Sequence, residues 1–132
     1  MANTKGQIFG INGPVVKVKG SDSFEMQEMV YVGNEELIGE VIGVTSDTTI
    51  VQVYEETTGL KKGEPVVGTG GPLSITLAPG ILSDIFDGIE RPLKEIRNMS
   101  GSFIGRGLKV TNLDERKTWN VEMVAKQGDY VK

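Results

Sequence analysis

Cysteine and histidine are both absent from this chain of 132 residues. Without cysteine there is neither a disulfide framework nor a thiolate metal site. Without histidine the usual zinc ligand and the usual general base near neutral pH are missing as well. Basic charge is scarce: 14 Lys and Arg stand against 18 Asp and Glu, a formal net charge of −4. Phosphate backbones are held chiefly by clusters of Lys and Arg, so nucleic acid is excluded as the main partner. Lys17, Lys19 and the pair Lys61-Lys62 are the nearest approach to such a cluster, and paired lysines in a turn read as a solvated corner. No apolar run reaches the roughly 20 residues that span a bilayer. The N-terminus also lacks the charged-then-apolar pattern of a signal peptide. A soluble, cytoplasmic chain with no membrane insertion is expected.

The motifs of phosphate chemistry are missing too. A phosphate-binding loop needs Gly-x4-Gly-Lys-Ser/Thr, whose amides and lysine hold the β and γ phosphates. Gly68-Thr69-Gly70-Gly71 has the glycines but no following lysine, and reads as a strand boundary. Gly101 to Gly107 has no Gly-x-Gly-x-x-Gly register. Glu55-Glu56 are adjacent, so in a strand they point to opposite faces and cannot act as one carboxylate pair. They read as solvated charges beside a turn, as do Glu35-Glu36. Arg91 is the residue most tempting as an arginine finger, but it precedes a proline and reads as a structural ion pair. The expectation is therefore no catalytic residue, no cofactor-binding residue and no metal ligand.

What is present is a run of short strands. The 18 glycines sit singly between apolar runs, a pattern of many turns. Gln7, Phe9 and Ile11 share one face of a first strand ending at Asn12-Gly13-Pro14. Val16 and Val18 alternate with Lys17 and Lys19 until Gly20-Ser21-Asp22-Ser23 breaks the strand. Met29 to Val32 stops at Gly33-Asn34. Leu37 to Val44 is longer and contains Gly39 and Gly43, which suit bulges or barrel corners. Thr48 to Tyr54 returns across Ser46-Asp47, with Ile50, Gln52 and Tyr54 alternating against Val51, Val53 and Glu55. Val66-Val67 closes the set. Six such strands predict a small antiparallel β-barrel over residues 1–70.

The pattern changes at Thr69-Gly70-Gly71-Pro72. Leu73, Ile75 and Leu77 alternate as one more strand. Ile81, Leu82, Ile85, Phe86 and Ile89 form a single stripe that predicts a short helix after Pro79 and before Gly88. Pro92 opens a second helix through Ile96 that ends near Ser100-Gly101. Residues 71–101 are thus expected to be a short helical connector. From Phe103 the chain reads as β-rich again, with Trp119, Val121 and Met123 alternating against Asn120 and Glu122. Gln127-Gly128-Asp129 is a turn. Tyr130-Val131-Lys132 looks like the opening of a strand with no sequence left to complete it, which predicts a fragment of a longer polypeptide.

Three blocks carry a resemblance. The first is Gln52-Val53-Tyr54-Glu55-Glu56-Thr57-Thr58-Gly59-Leu60, followed by Gly63-Glu64-Pro65-Val66. The second is Leu77-Ala78-Pro79-Gly80-Ile81-Leu82, continuing through Ile85-Phe86-Asp87-Gly88-Ile89-Glu90-Arg91-Pro92-Leu93. The third is Phe103-Ile104-Gly105-Arg106-Gly107, with Leu113-Asp114, Lys117 and Trp119 after it. In this order and spacing they resemble the N-terminal portion of the catalytic A subunits (alpha chains) of V/A-type rotary ATPases. The resemblance implies an N-terminal barrel over 1–70 and a connector over 71–101 leading into a nucleotide-binding domain. It also implies that residues 102–132 begin the bulge domain, a β-rich insertion of that subunit. It further implies a place in an alternating A3B3 ring with B subunits and other rotary ATPase subunits, peripheral to the membrane. The parent subunit would use Mg-ATP to drive protons or sodium ions. This part would serve hexamer assembly and rigidity, with no cofactor of its own and no activity alone.

Two other readings stay open. One is a stand-alone β-barrel binding module of translation-factor type, acting on RNA or protein, which a basic face with exposed aromatics would favour. Only four Phe, three Tyr and one Trp are available for such a face. The other is a small carboxylate enzyme, which would need two acidic groups with shifted pKa values in one pocket.

Overall fold

The computed structural model describes residues 5–20, 24–82, 84–114 and 116–130. Six strands run β1 (Lys5–Asn12), β2 (Val15–Lys19), β3 (Glu28–Val32), β4 (Leu37–Val44), β5 (Thr49–Val53) and β6 (Pro65–Pro72). They close into a barrel in the order β1-β2-β5-β4-β3-β6, and β6 returns to pair with β1. Every pairing is antiparallel. The expected small six-stranded antiparallel barrel is therefore the fold, with β6 running on to Pro72.

The core follows from strand parity. Successive side chains point to opposite faces, so alternate residues meet inside. Ile8, Val16, Val18, Val30, Val32, Leu37, Val41, Val51, Val53 and Val66 fill the interior, with Phe24 against one end. Val16 lies opposite Val51, and Val51 opposite Val41, so one layer crosses three strands. Valine dominates because a barrel this narrow has room for short, stiff side chains that pack well on a pleated surface.

In β1 the face that points inward is Ile8, not Gln7 and Phe9. A register shift between Ile8 and Gly10 then changes the phase, and Ile11 packs against the core. A second shift lies between Val41 and Gly43 of β4, where the sequence suggested a bulge or corner. Gly39 is required for a different reason. A Cβ there would sit 2.9 Å from both the Gln52 carbonyl oxygen and a Val51 methyl inside the barrel.

Beyond β6 the chain departs from three expectations. Leu73, Ile75 and Leu77 do not form a strand. The barrel is already closed by β6, so no open edge remains to accept a seventh strand. Closure likewise leaves no edge for Trp119 to Val124, which are irregular. The described part of 102–130 contains no strand, so the β-rich start expected there is absent from it. Among its described residues the stripe from Ile81 to Ile89 gives no α-helix, but a 3-10 turn at Pro79–Ile81 and an isolated bridge from Phe86 to Pro92. Leu82 and Ile85 of that stripe are exposed, and a short helix without a packed face does not recover its nucleation cost.

Helix α1 (Leu93–Ser100) does form where Pro92 was expected to open it. Pro92 is its N-cap, Gly101 its C-cap, and Ile96 is its buried residue. Residues 127–128 turn as expected. Parts of two expectations, the break at 21–23 and the strand opening at 131–132, lie outside the described residues.

Candidate functional site at the barrel–connector junction

The end of β5 carries the site. Thr49, Val51 and Val53 point inward, and Glu55 continues their parity just past the strand. Instead of water, its carboxylate meets three different segments. Oε1 accepts the Ile38 amide of β4 at 3.2 Å. Oε2 accepts the Arg91 guanidinium at 2.8 Å and the Gly107 amide at 3.0 Å. The Glu55 and Arg91 side chains are only 5% and 9% exposed. Glu55 is thus not the solvated charge that its neighbourhood suggested, whereas Glu56 is exposed and bonds locally to Thr58.

Arg91 is delivered by a tight loop. Asp87 Oδ1 accepts the amides of Ile89 and Arg91, at 3.1 and 2.9 Å. The Asp87 amide donates to the Arg91 carbonyl, and the Glu90 amide to the Asp87 carbonyl. Arg91 Nε reaches Asp87 Oδ2 at 2.7 Å, so one guanidinium bridges two carboxylates. The ion pair expected of Arg91 is therefore present, and it spans 36 residues of sequence. Burial works against the charge of both Asp87 and Arg91. Their mutual hydrogen bonds prevail, holding the Asp87 carboxyl below its ordinary value and the Arg91 guanidinium above its own.

Glu90 sits between the two in a strained backbone, with φ of +62°. It is 7% exposed. Its Oε2 accepts the Thr76 amide at 2.9 Å and Asn112 Nδ2 at 3.1 Å, while Oε1 is buried without a partner in the described residues. The Thr76 amide is thereby engaged by a side chain in place of a strand neighbour.

Residues 105–112 lie as a strap across this junction. Arg106 pairs with Glu35 at 3.3 Å, and Lys109 pairs with Glu36 and lies over the Tyr31 ring. The Glu35-Glu36 pair, expected to be simply solvated, is half-exposed and engaged on both residues. Between strap, barrel and connector is a cleft of about 300 Å³ whose lining includes Tyr31, Ile38, Leu73, Ile89, Arg91 and Leu108.

A second buried carboxylate, Glu28, escaped sequence reasoning. It shares the inward parity of Val30 and Val32, and it accepts the Glu25 amide and the Gly70 amide at 2.9 Å each. The glycine-rich run 68–71 is thus part of β6 and bonded to Glu28. Lys61 and Lys62 are exposed in a turn. Among the described residues, no group of three or more acidic side chains is placed to hold a metal ion. Glu55, Arg91 and Asp87 thereby tie barrel, connector and strap to one another at this junction.

Residues 8–70 match the beta-barrel domain of the ATP synthase alpha/beta family. Over these residues the chain is similar to that family. The likeness continues past the barrel into the connector and strap. The chain is 52% identical over 127 residues to the V-type ATP synthase alpha chain 2 of Clostridium tetani, which covers 96% of this chain. It is 53% identical over 128 residues to the V-type ATP synthase alpha chain of Halothermothrix orenii, covering 97%. To the A subunit of the A-type ATP synthase of Methanopyrus kandleri it is 52% identical over 132 residues, covering 99%. These matches fall on the N-terminal region of the ATP synthase subunits. The chain spans 22% of the length of each of these relatives. Among the described residues, no helix is long and apolar enough to cross a membrane.

Proposed function

We propose that this chain is the N-terminal part of the catalytic subunit of a V/A-type ATPase, and that it serves assembly and rigidity of the catalytic head. In this reading residues 1–70 are a crown barrel and 71–101 a connector into a nucleotide-binding domain. Residues 102–132 begin the bulge insertion. The parent subunit would bind Mg-ATP, alternate with B subunits in an A3B3 ring, and work peripheral to the membrane on its cytoplasmic side. Its coupling ion would be a proton or sodium.

The observation that carries this reading is the Glu55–Arg91–Asp87 node. A closed barrel has no strand edges to lend and little flexibility. A buried two-carboxylate bridge then fixes that stiff body to the connector. Such an arrangement transmits position; it offers no group to activate water or hold a phosphate, since the chain has no Gly-x4-Gly-Lys-Ser/Thr loop.

A single small barrel contact falls below the roughly 1,200–2,000 Å² of a stable interface. Each barrel in a ring has two neighbours, and tethering to the larger domains raises the effective concentration, so weak contacts suffice there. The test is deletion of residues 1–70 from the parent subunit, followed by native mass spectrometry with the B subunit. Hexamer formation should be impaired while the residues of the nucleotide pocket are untouched. A barrel-less subunit that still formed a stable ring with normal turnover would refute the assembly role.

A further inference from the structure

We propose that residues 105–112 are a releasable clasp on the barrel, which opens before the connector does and closes again over the cleft beneath it. This goes beyond the assembly role and does not rest on it.

The strap's attachments are of two kinds. Arg106–Glu35 and Lys109–Glu36 are partly exposed ion pairs, with Lys109 69% exposed. Exposed pairs of this sort hold weakly. Asn112 Nδ2 on Glu90 Oε2 and the Gly107 amide on Glu55 Oε2 are the part-buried attachments, and the second is the one that holds the strap to the barrel. The Gly107 geometry depends on glycine: φ is +61°, and a Cβ there would collide with the Glu35 carbonyl oxygen. No helix or strand reinforces the described residues beyond Ser100.

Release of the strap and release of the connector have unequal consequences. When the strap lifts, Glu55 keeps Arg91 and the Ile38 amide, and Arg91 keeps Asp87. Glu90 gives up Asn112 but keeps the Thr76 amide, so no buried ion pair is broken. When the connector lifts, Arg91 leaves Glu55, and a buried carboxylate remains with amide donors alone, the costly outcome for a buried pair. The two openings are therefore ordered, strap first. Leu108 and the facing Ile38, Leu73 and Ile89 line the cleft under the strap. Opening wets those apolar walls, which favours reclosure.

Hydrogen exchange read by mass spectrometry on the intact chain tests the clasp. In Gly107→Ala, amides of residues 105–112 should exchange at least about tenfold faster, the loss of one hydrogen bond to a charged group. The strands β3 to β5 and helix α1 should keep their rates. Gly128→Ala is the control: φ is also positive there, at +97°, but a Cβ would meet nothing within 4 Å, and the strap should not respond. The double variant Arg106→Gln/Lys109→Gln, which leaves the backbone unstrained, should accelerate strap exchange about threefold. The clasp is overturned by a strap unprotected in the wild type, or by strap rates unchanged in Gly107→Ala. It is equally overturned by loss of protection across the barrel strands, or by an equal response to Gly128→Ala.

Discussion

Replacing Arg91 by leucine should reveal how strongly the barrel depends on the connector. The substitution removes the guanidinium shared by Glu55 and Asp87, whose side chains are 5% and 17% exposed. Removing one partner of a buried ion pair costs about 3–5 kcal/mol. The low end applies here, because Glu55 retains the Ile38 and Gly107 amides and Asp87 retains two backbone amides. A loss of about 3 kcal/mol lowers the urea midpoint by about 1.5 M, taking m as about 2 kcal/mol/M for a domain of this size. Far-ultraviolet circular dichroism follows the barrel through that transition. The decisive comparison is Glu55→Leu/Arg91→Leu, which removes the stranded charge along with its partner. The double variant should recover about 2 kcal/mol of the summed single losses, because the pair is coupled. Additivity to within about 0.5 kcal/mol would mean that the two side chains do not act as a unit. A barrel transition unmoved by Arg91→Leu would mean that the connector simply undocks and lets water reach Glu55.

Gly39→Ala should destabilise the barrel by about 1–3 kcal/mol through overpacking, since the new methyl meets a backbone carbonyl and a core valine at 2.9 Å; thermal melting would measure it, and an unchanged midpoint would refute the close approach. Asp87 is held below its ordinary carboxyl value of 3.8, with burial opposing the shift and the Arg91 hydrogen bonds outweighing it. A depressed carboxyl pKa adds stability above the unfolded value and loses it as pH falls through the folded one. The wild type's advantage over Asp87→Asn should therefore be complete near about pH 6 and shrink below about pH 4, and a pH series of urea midpoints would expose a constant gap. Calorimetric titration of the chain with Mg-ATP should give no heat beyond dilution, because the sequence has no lysine-bearing phosphate loop; micromolar binding would contradict that.

Within the barrel, period-2 alternation and single glycines were enough to place six strands in order, since half of each strand must face a valine-filled interior. The same alternation misled beyond Pro72. Leu73, Ile75 and Leu77 have strand chemistry, but a strand needs an edge, and closure between β1 and β6 consumed the last one. The stripe from Ile81 to Ile89 failed for a related reason. A helical stripe needs a surface to bury against, and Leu82 and Ile85 have none among the described residues. Local periodicity records what a segment could do; the supply of partners decides what it does. Helix α1 formed because Ile96 found burial and Pro92 had a place before its first turn.

The junction was harder to read, although part of its signal lay in view. Glu55 stands in phase with Thr49, Val51 and Val53, and Glu28 in phase with Val30 and Val32. An acidic residue on the buried parity at a strand end is a conflict that a fold resolves only by supplying donors. That conflict could have marked both residues as buried. It could not have named the donors. Arg91 lies 36 residues from Glu55 and Gly107 lies 52 away, distances that no local pattern spans. The adjacency of Glu55 and Glu56 excludes a shared catalytic pocket, and they do diverge, the Glu55 side chain buried and Glu56 exposed. Opposite faces, however, do not make both faces wet. The residue that diverged inward became the point at which barrel, connector and strap are tied. This follows from its charge: a buried carboxylate can be stable only by gathering donors from whatever segments pass, and three segments pass here.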